Sequence, residues 1–410
     1  MTDRVTTACR VCDGTVEEFL DLGDQPISQA FRRPEDTTPE FFFRLAVGVC
    51  DTCGMVQLMD EIPRDRMFHQ DYPFTSSGSA WMTEYFSGVA REFLDNELTG
   101  PDPFIVELGS NDGVMLRTIK EAGVRHVGFE PSGQVADMAR AIGVRVRGEF
   151  FEEATATRVA ATDGPADVIY AANTLCHIPY LDSVLRGVTA LLAPNGVFVF
   201  EDPYLGDIVG KTSFDQIYDE HFYLFSARSV QAVAQRCGLE LVDVKPLPVH
   251  GGEIRYTLAR AGARTPSAAV ADLLHWEQDA GLADLATLRG FAENVLRIRA
   301  DLVATLTRLR AAGKRVVAYG ATAKSATVAN FCDIGPELIE WVCDSTQAKQ
   351  HLVTPGKHIP IRPSEDFRAP YPDYALLFAW NHAGEIMAKE QEFAQSGGKW
   401  LLYVPSVHEV

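Results

Sequence analysis

The chain has 410 residues, is 46% hydrophobic and 23% charged, and carries a formal net charge of −19. That length exceeds one ordinary core and predicts two or three domains, and the composition is globular, without low-complexity or disordered character. So negative a surface repels a phosphate backbone and argues against nucleic-acid binding, while local arginines, lysines or a helix N-terminus still suit a small anionic substrate.

The opening MTDRVTTACR has no apolar signal-peptide stretch, and no run of about 18 apolar residues occurs that would span a bilayer. The expectation is a cytoplasmic protein with no membrane segment. In that compartment the eight cysteines are thiols or metal ligands, not disulfides.

The first expected domain, residues 1–73, is rich in turns, with strand-length apolar pieces at Val16–Leu22 and Phe41–Val49. So small a module builds little core without a metal staple. Cys9-Arg-Val-Cys12-Asp-Gly14 and Cys50-Asp-Thr-Cys53-Gly54 supply one. A glycine closes each knuckle, where backbone N–H groups must turn toward sulfur. Four thiolates fill a tetrahedral shell and leave no open position, so Cys9, Cys12, Cys50 and Cys53 are expected to hold a structural Zn²⁺. A thioredoxin-like redox pair would explain one CxxC, not two. Cys176, Cys237, Cys332 and Cys343 stand singly in apolar surroundings and read as small buried hydrophobes.

The second domain is expected over 74–250. PFIVELG, HVGFEPS, ADVIYAAN and GVFVFEDP are strand-length apolar runs, separated by helical stretches such as Val114–Ala122 and Ser132–Ala141. That alternation predicts an α/β, Rossmann-like fold with a parallel sheet and helices on both faces. The first strand runs through Glu107 into Gly109-Ser-Asn111-Asp112-Gly113, and the second ends at Glu130-Pro131-Ser132. A carboxylate at that second tip is placed to accept ribose hydroxyls. A nicotinamide dinucleotide fits the same outline, but Glu107 would repel its pyrophosphate, and Asn111 and Asp112 stand where glycines would be expected. These side chains suit a cationic ligand such as the sulfonium and amino group of S-adenosylmethionine.

The stretch resembles ExGxGxG, the first motif of class I methyltransferases. It departs at Asn111, a residue type that tolerates left-handed backbone better than most. Further segments match in order. Gly148-Glu149-Phe150-Phe151 follows the third strand, with Phe150 flanking adenine; Asp167–Asn173 is the fourth strand; Leu192–Gly196 precedes the fifth. Asn173 and His177 lie past the fourth strand, Tyr218-Asp219-Glu220-His221-Phe222-Tyr223 past the fifth. His69, Asp71-Tyr72-Pro73 and Thr75–Ser79 lead in from the zinc module. Singly, each is a surface loop or a satisfied core residue. Together they fall on the edge where open α/β sheets bind ligands.

The third domain is expected over 251–410. His250-Gly251-Gly252-Glu253-Ile254-Arg255 reads as a turn and a strand, either a seal over the site or a plain hairpin. Helical linkers follow to about residue 312, broken at Gly281 and Gly290. RVVAYGA, LIEWVCDS, YALLFAW and KWLLYVP are strands of a second Rossmann-like domain. Tyr319-Gly320-Ala-Thr322-Ala-Lys324-Ser325 is a strand, a loop and a helix start without Walker A spacing. Its N–H groups, with Lys324 as a point charge, would cradle a diphosphate.

In sequence order, CxxC…CxxC, DYPFTSSGS, VELGSNDG, ANTLCHI, YDEHFYLFS, HGGEIR and YGATAKS resemble the nucleotide-sugar C-methyltransferases of antibiotic deoxysugar biosynthesis, and most of all the tetronitrose-type sugar 3-C-methyltransferases. The resemblance spans essentially the whole chain. It implies S-adenosylmethionine-dependent methylation at C3 of a dTDP-linked 4-keto-deoxyhexose, a 3-amino-2,3,6-trideoxy sugar, through a base-generated enolate. It implies His221 as the base, with Tyr218 the competing candidate, and Glu220 orienting the imidazole or holding the sugar. Tyr72 and His177 would line the pocket, and Tyr223, Thr322, Lys324 and Ser325 would contact the nucleotide sugar. It further implies a monomer whose chemistry requires no metal. Abstraction beside a ketone needs a neutral base with a pKa near 7, which suits histidine. An O- or N-methyltransferase on a nucleotide sugar needs no carbon base and is the alternative, ahead of a nicotinamide-dependent oxidoreductase.

Overall fold

The computed structural model describes residues 5–63, 67, 75–368 and 370–410. Among them, no helix is long and apolar enough to cross a membrane. Near the N-terminus four antiparallel strands lie side by side: β1 (Thr6–Ala8), β2 (Thr15–Pro26), β3 (Phe42–Cys50) and β4 (Val56–Leu58). A fifth comes from far along the chain, where Tyr223 pairs with Gln57 and Leu224 with Val56. The zinc module therefore does not stand on its own core. Val47, Met55 and Val56 belong to one apolar cluster with Phe222, Phe225 and Val230.

The second sheet opens with helix Ala80–Asn96, whose first turn is capped by the Ser79 hydroxyl accepting from Met82 N. The strands are β5 (Phe104–Leu108), β6 (Arg125–Phe129), β7 (Val146–Arg147), β8 (Ala166–Ala172) and β9 (Leu192–Pro203). After them come β10 (Tyr223–Leu224), the strand lent to the first sheet, and the hairpin β11 (Leu239–Leu247) and β12 (Glu253–Arg260). The order is β11-β12-β9-β8-β5-β6-β7, with β5 to β9 parallel and β12 antiparallel to β9. β5 is buried along its whole length, as its unbroken FIVEL run requires. The chain leaves β5 toward β6 on one side and returns through β8 on the other. In open α/β sheets, ligands bind at the carboxyl ends of the strands flanking such a reversal, here β5 and β8. The boundary expected at residue 250 falls in the β11–β12 turn, and the central sheet runs on to Arg260.

Two linker helices follow, Ala268–Asp279 and Leu285–Ala311. Gly281, at φ +56°, sits in the break between them, but Gly290 lies inside the longer helix. Burial of Leu288, Phe291, Val295 and Ile298 on one face outweighs the roughly 1 kcal/mol that an interior glycine costs. The third sheet contains β13 (Val316–Tyr319), β14 (Val342–Cys343), β15 (Ile361–Arg362), β16 (Tyr374–Leu377), β17 (Lys399–Leu402) and β18 (His408–Glu409), in the order β15-β14-β13-β16-β17-β18. All pairings are parallel except that of β18. The small N-terminal module followed by two Rossmann-like domains is the architecture expected from the sequence.

Candidate active site

Antiparallel pairing of β2 with β3 brings the two cysteine knuckles together. The four sulfurs lie within 4.8 Å of one another, with Cys9 and Cys53 3.7 Å apart and Cys12 and Cys50 3.4 Å apart. Val11 N and Thr52 N donate to Cys9 and Cys50 Sγ at 3.4 Å, and Gln57 Nε2 to Cys9 Sγ at 3.1 Å. Such donors stabilise thiolate charge. The glycines serve different ends. Gly54 takes φ +73°. In the first knuckle the left-handed residue is Asp13, and Gly14 makes room: a Cβ there would lie 2.6 Å from Thr52 Oγ1. An all-sulfur, closed donor set fits a structural Zn²⁺.

The loop after β5 is built from left-handed backbone at Gly109 (φ +66°), Asn111 (φ 46°) and Gly113 (φ +78°). A Cβ on Gly109 would lie 2.3 Å from Thr174 Oγ1. Glu107, Asp112 and Glu130 converge there, all buried. Glu130 accepts from Asn111 N at 3.0 Å and Ser132 N at 2.8 Å. Glu107 Oε2 and Asp112 Oδ1 are buried with no hydrogen-bond partner among the described residues. Burial, with Asp112 and Glu130 adding to it, pushes the Glu107 carboxyl well above its usual range. Three acidic side chains crowded in one buried loop, two of them with an oxygen to spare, raise one another's cost of ionisation, and a cation relieves it; this donor set fits the positively charged end of S-adenosylmethionine. Asp112 Oδ2 also accepts from Ser77 N, and Asn111 Oδ1 from Ser76 N, so residues 76–77 lie against the same loop. Pro131 follows Glu130 at the tip of β6, and Phe150 stands beside Phe151, whose ring packs edge-on against Phe129. Asn173, at φ 47°, donates its N–H to Glu201 O at the end of β9.

Past β8 and β9 the titratable side chains gather. The His221 ring lies 4.1 Å from the Tyr218 ring and 5.2 Å from that of His177. His221 Nδ1 is 2.7 Å from the carbonyl oxygen of Gln216. A carbonyl only accepts, so Nδ1 carries the proton and Nε2 keeps its lone pair. Burial, with His177 adding to it, holds the His221 pKa well below its usual value; burial lowers that of His177 to about 4. Both rings are neutral at physiological pH. Glu220 is buried beside them.

The support for this imidazole comes from distant segments. Gln216 ends a short 3-10 turn, Phe214–Gln216, and its side chain donates to His250 O at 2.8 Å. Asp215, fully buried, accepts from Trp380 Nε1 at 2.6 Å and Tyr403 Oη at 2.7 Å. None of Gln216, Asp215, Trp380 and Tyr403 stands out in the sequence: Gln216 acts through its backbone carbonyl, and Asp215, Trp380 and Tyr403 acquire their role only where the second and third domains meet. Lys349 was missed likewise: its Nζ donates to Ala321 O at 2.8 Å, within electrostatic reach of Glu220.

Two groups of expected site residues sit differently from the reading of the sequence. Tyr223 is fully buried in β10, its hydroxyl donating to Pro179 O at 2.8 Å and its ring stacked on Phe225. It is part of the wall between the first two sheets, not a substrate surface. In the β13 loop the Thr322 hydroxyl caps helix Ala323–Phe331 by accepting from Ser325 N, and the Ser325 hydroxyl donates to Thr322 O at 2.6 Å. Both hydroxyls thus hold the helix start, and Asp344 already accepts from Ala321 N at 2.7 Å. Lys324 extends from that turn to His250 O at 3.2 Å, over the Trp380 ring. The HGGEIR turn is a hairpin, and it also meets the third domain: a Cβ on Gly251 would lie 2.8 Å from Trp380. His69, Asp71, Tyr72 and Pro73 lie outside the described residues.

Residues 9–68 match a family described as a zinc binding domain, 82–244 one described as a methyltransferase domain, and 248–405 the C-methyltransferase C-terminal domain. The chain is 34% identical to C-methyltransferase NovU of Streptomyces niveus over 402 residues, 97% of this chain and 95% of that one. Among solved structures, an S-adenosylmethionine-dependent methyltransferase of Anabaena variabilis aligns over 42% of this chain and 84% of its own, at 15% identity and a TM-score of 0.35. The CcbJ methyltransferase of Streptomyces caelestis aligns over 43% and 90%, at 16% identity and a TM-score of 0.33.

Proposed function

Because this chain belongs to the C-methyltransferase family that includes NovU, we propose that it methylates C3 of a dTDP-linked 4-keto-deoxyhexose, a 3-amino-2,3,6-trideoxy sugar, through an enolate. S-Adenosylmethionine supplies an activated methyl group, and Glu107, Gly109, Asn111, Asp112, Gly113, Glu130, Pro131, Phe150 and Asn173 are the residues assigned to hold it. Cys9, Cys12, Cys50 and Cys53 are assigned to a structural Zn²⁺.

The observation that carries the reading is the bond from His221 Nδ1 to Gln216 O. It leaves Nε2 unprotonated and available as a base, although burial holds its pKa below the value near 7 expected from the sequence, so the C4 oxygen needs a donor to make up the difference. The proton at C3 passes to Nε2, and the electron pair shifts toward the C4 oxygen. Tyr218, packed on the same ring, is the second candidate for the base and otherwise a donor to that oxygen, a contribution of about 3 kcal/mol at oxyanion-type sites. Glu220 orients the imidazole or holds the sugar, His177 and Tyr72 are assigned to line the same pocket, and Lys324 takes the diphosphate at the helix start formed by Thr322 and Ser325. We read the protein as a cytoplasmic monomer.

Calorimetry with S-adenosylhomocysteine and with NAD tests the cofactor assignment. Heat from the first alone supports it, and heat from NAD alone overturns it. Deuterium exchange from solvent at C3, run with S-adenosylhomocysteine in place of the methyl donor, tests the carbon acid. An O- or N-methyltransferase shows none.

A further inference from the structure

Cys176 read from the sequence as a small buried hydrophobe, and it is fully buried, yet its surroundings are polar. Its sulfur and ring nitrogens of His177 and His221 all lie within 4.8 Å of one another. We propose that Cys176, His177 and His221 form a second metal site, separate from the cysteine knuckles, which takes a borderline divalent ion such as Zn²⁺ or Co²⁺ and thereby switches the enzyme off.

Three observations support this site. The donor set, one sulfur and two imidazoles, is the kind that such ions prefer. With metal–nitrogen near 2.0 Å and metal–sulfur near 2.3 Å, tetrahedral ligands stand about 3.3–3.6 Å apart, so small side-chain rotations close the gap. The Gln216 carbonyl on His221 Nδ1 is the outer partner that metal-bound histidines characteristically have, fixing the tautomer with Nε2 free to ligate. Finally, three acidic side chains, Asp202, Glu253 and Glu220, lie within electrostatic reach of the Cys176 thiol; burial first, and they after it, push its pKa well up, a strain that a bound cation would relieve. Lys324 and His250 act on His221 in the opposite sense. On binding, the Cys176 thiol proton is released to solvent, both histidines bind through neutral nitrogens, and no electron is transferred. The bound ion occupies the lone pair that would abstract the sugar proton, so the switch, unlike the site, rests on the assignment of His221 as base.

The test is a Co²⁺ titration of the full chain with its knuckle zinc in place. The wild type is expected to bind one equivalent with a thiolate-to-cobalt charge-transfer band. C176S should lack the band and H177Q bind weakly, each loss of a ligand costing roughly a hundredfold or more in affinity, beyond what outer-partner changes cost. Thermal unfolding of both variants reports whether they fold. No band in the wild type, or equal binding in wild type and a folded C176S or H177Q, overturns the site. Methyl transfer is then measured with and without the ion. A bound ion that leaves turnover unchanged overturns the switch, and the band reports the site even on a protein that transfers no methyl group.

Discussion

Replacing His221 by Asn isolates the base from its support. The Asn amide nitrogen occupies nearly the position of Nδ1 and keeps a donor for Gln216 O, whose present bond is 2.7 Å. What is deleted is Nε2. The loss of ring packing against Tyr218 and His177 costs about 1–2 kcal/mol of stability, so H221N folds and binds S-adenosylhomocysteine with unchanged heat. Turnover falls by roughly 10²–10⁴-fold, the range for general-base catalysis, equivalent to about 2.7–5.4 kcal/mol of barrier. The assay is transfer of a labelled methyl group, run beside solvent deuterium exchange at the sugar carbon; both fall together. The pH profile carries the same signature. The active form is neutral imidazole, and burial depresses its pKa, so wild-type activity holds as pH falls past 6.5 and is lost only on crossing the lower value. Full turnover in H221N would refute the assignment, and retained exchange with lost transfer would move the base to Tyr218.

Three further outcomes follow from the geometry. Gly109→Ala forces a Cβ to 2.3 Å from Thr174 Oγ1 at φ +66°, and its affinity for S-adenosylhomocysteine should fall by roughly tenfold or more, at about 1–2 kcal/mol for the backbone alone; calorimetry reads it. Cys50→Ser should lose zinc by metal analysis and several kcal/mol of stability. Because β4 pairs with β10 beside the Tyr218–His221 turn, its turnover should fall as well. Asp215→Asn removes the charge that Trp380 and Tyr403 hold, at about 1.5–3 kcal/mol per charged hydrogen bond. As a positioning change it should lower kcat, with the cofactor affinity unchanged, and shift the acid limb of the pH profile.

What could be read from the sequence was local. Strand–glycine–helix punctuation around Gly109 and Gly113, the acidic tip at Glu130 and the paired knuckles are set within a few residues of one another. The left-handed Asn111 was legible for the same reason. Residues that act through a backbone group or across domains were not. Gln216 orients His221 through a backbone carbonyl, which no side-chain pattern reveals, and Asp215 finds Trp380 and Tyr403 only after the third sheet docks. Tyr223 shares a polar run with His221 yet is fully buried, because the two-residue strand β10 ties it to Gln57 and its hydroxyl is spent on Pro179 O. Gly290 misled because packing of a long helix overrides the propensity of one residue.

If His221 makes an enolate, the methyl group arrives on carbon. The direct measurement is nuclear magnetic resonance of the product formed from ¹³C-methyl-labelled S-adenosylmethionine and a dTDP-4-keto-deoxyhexose. A labelled methyl carbon coupled to the C3 carbon of the sugar is expected. A label on oxygen or nitrogen, with no carbon–carbon coupling, would contradict it.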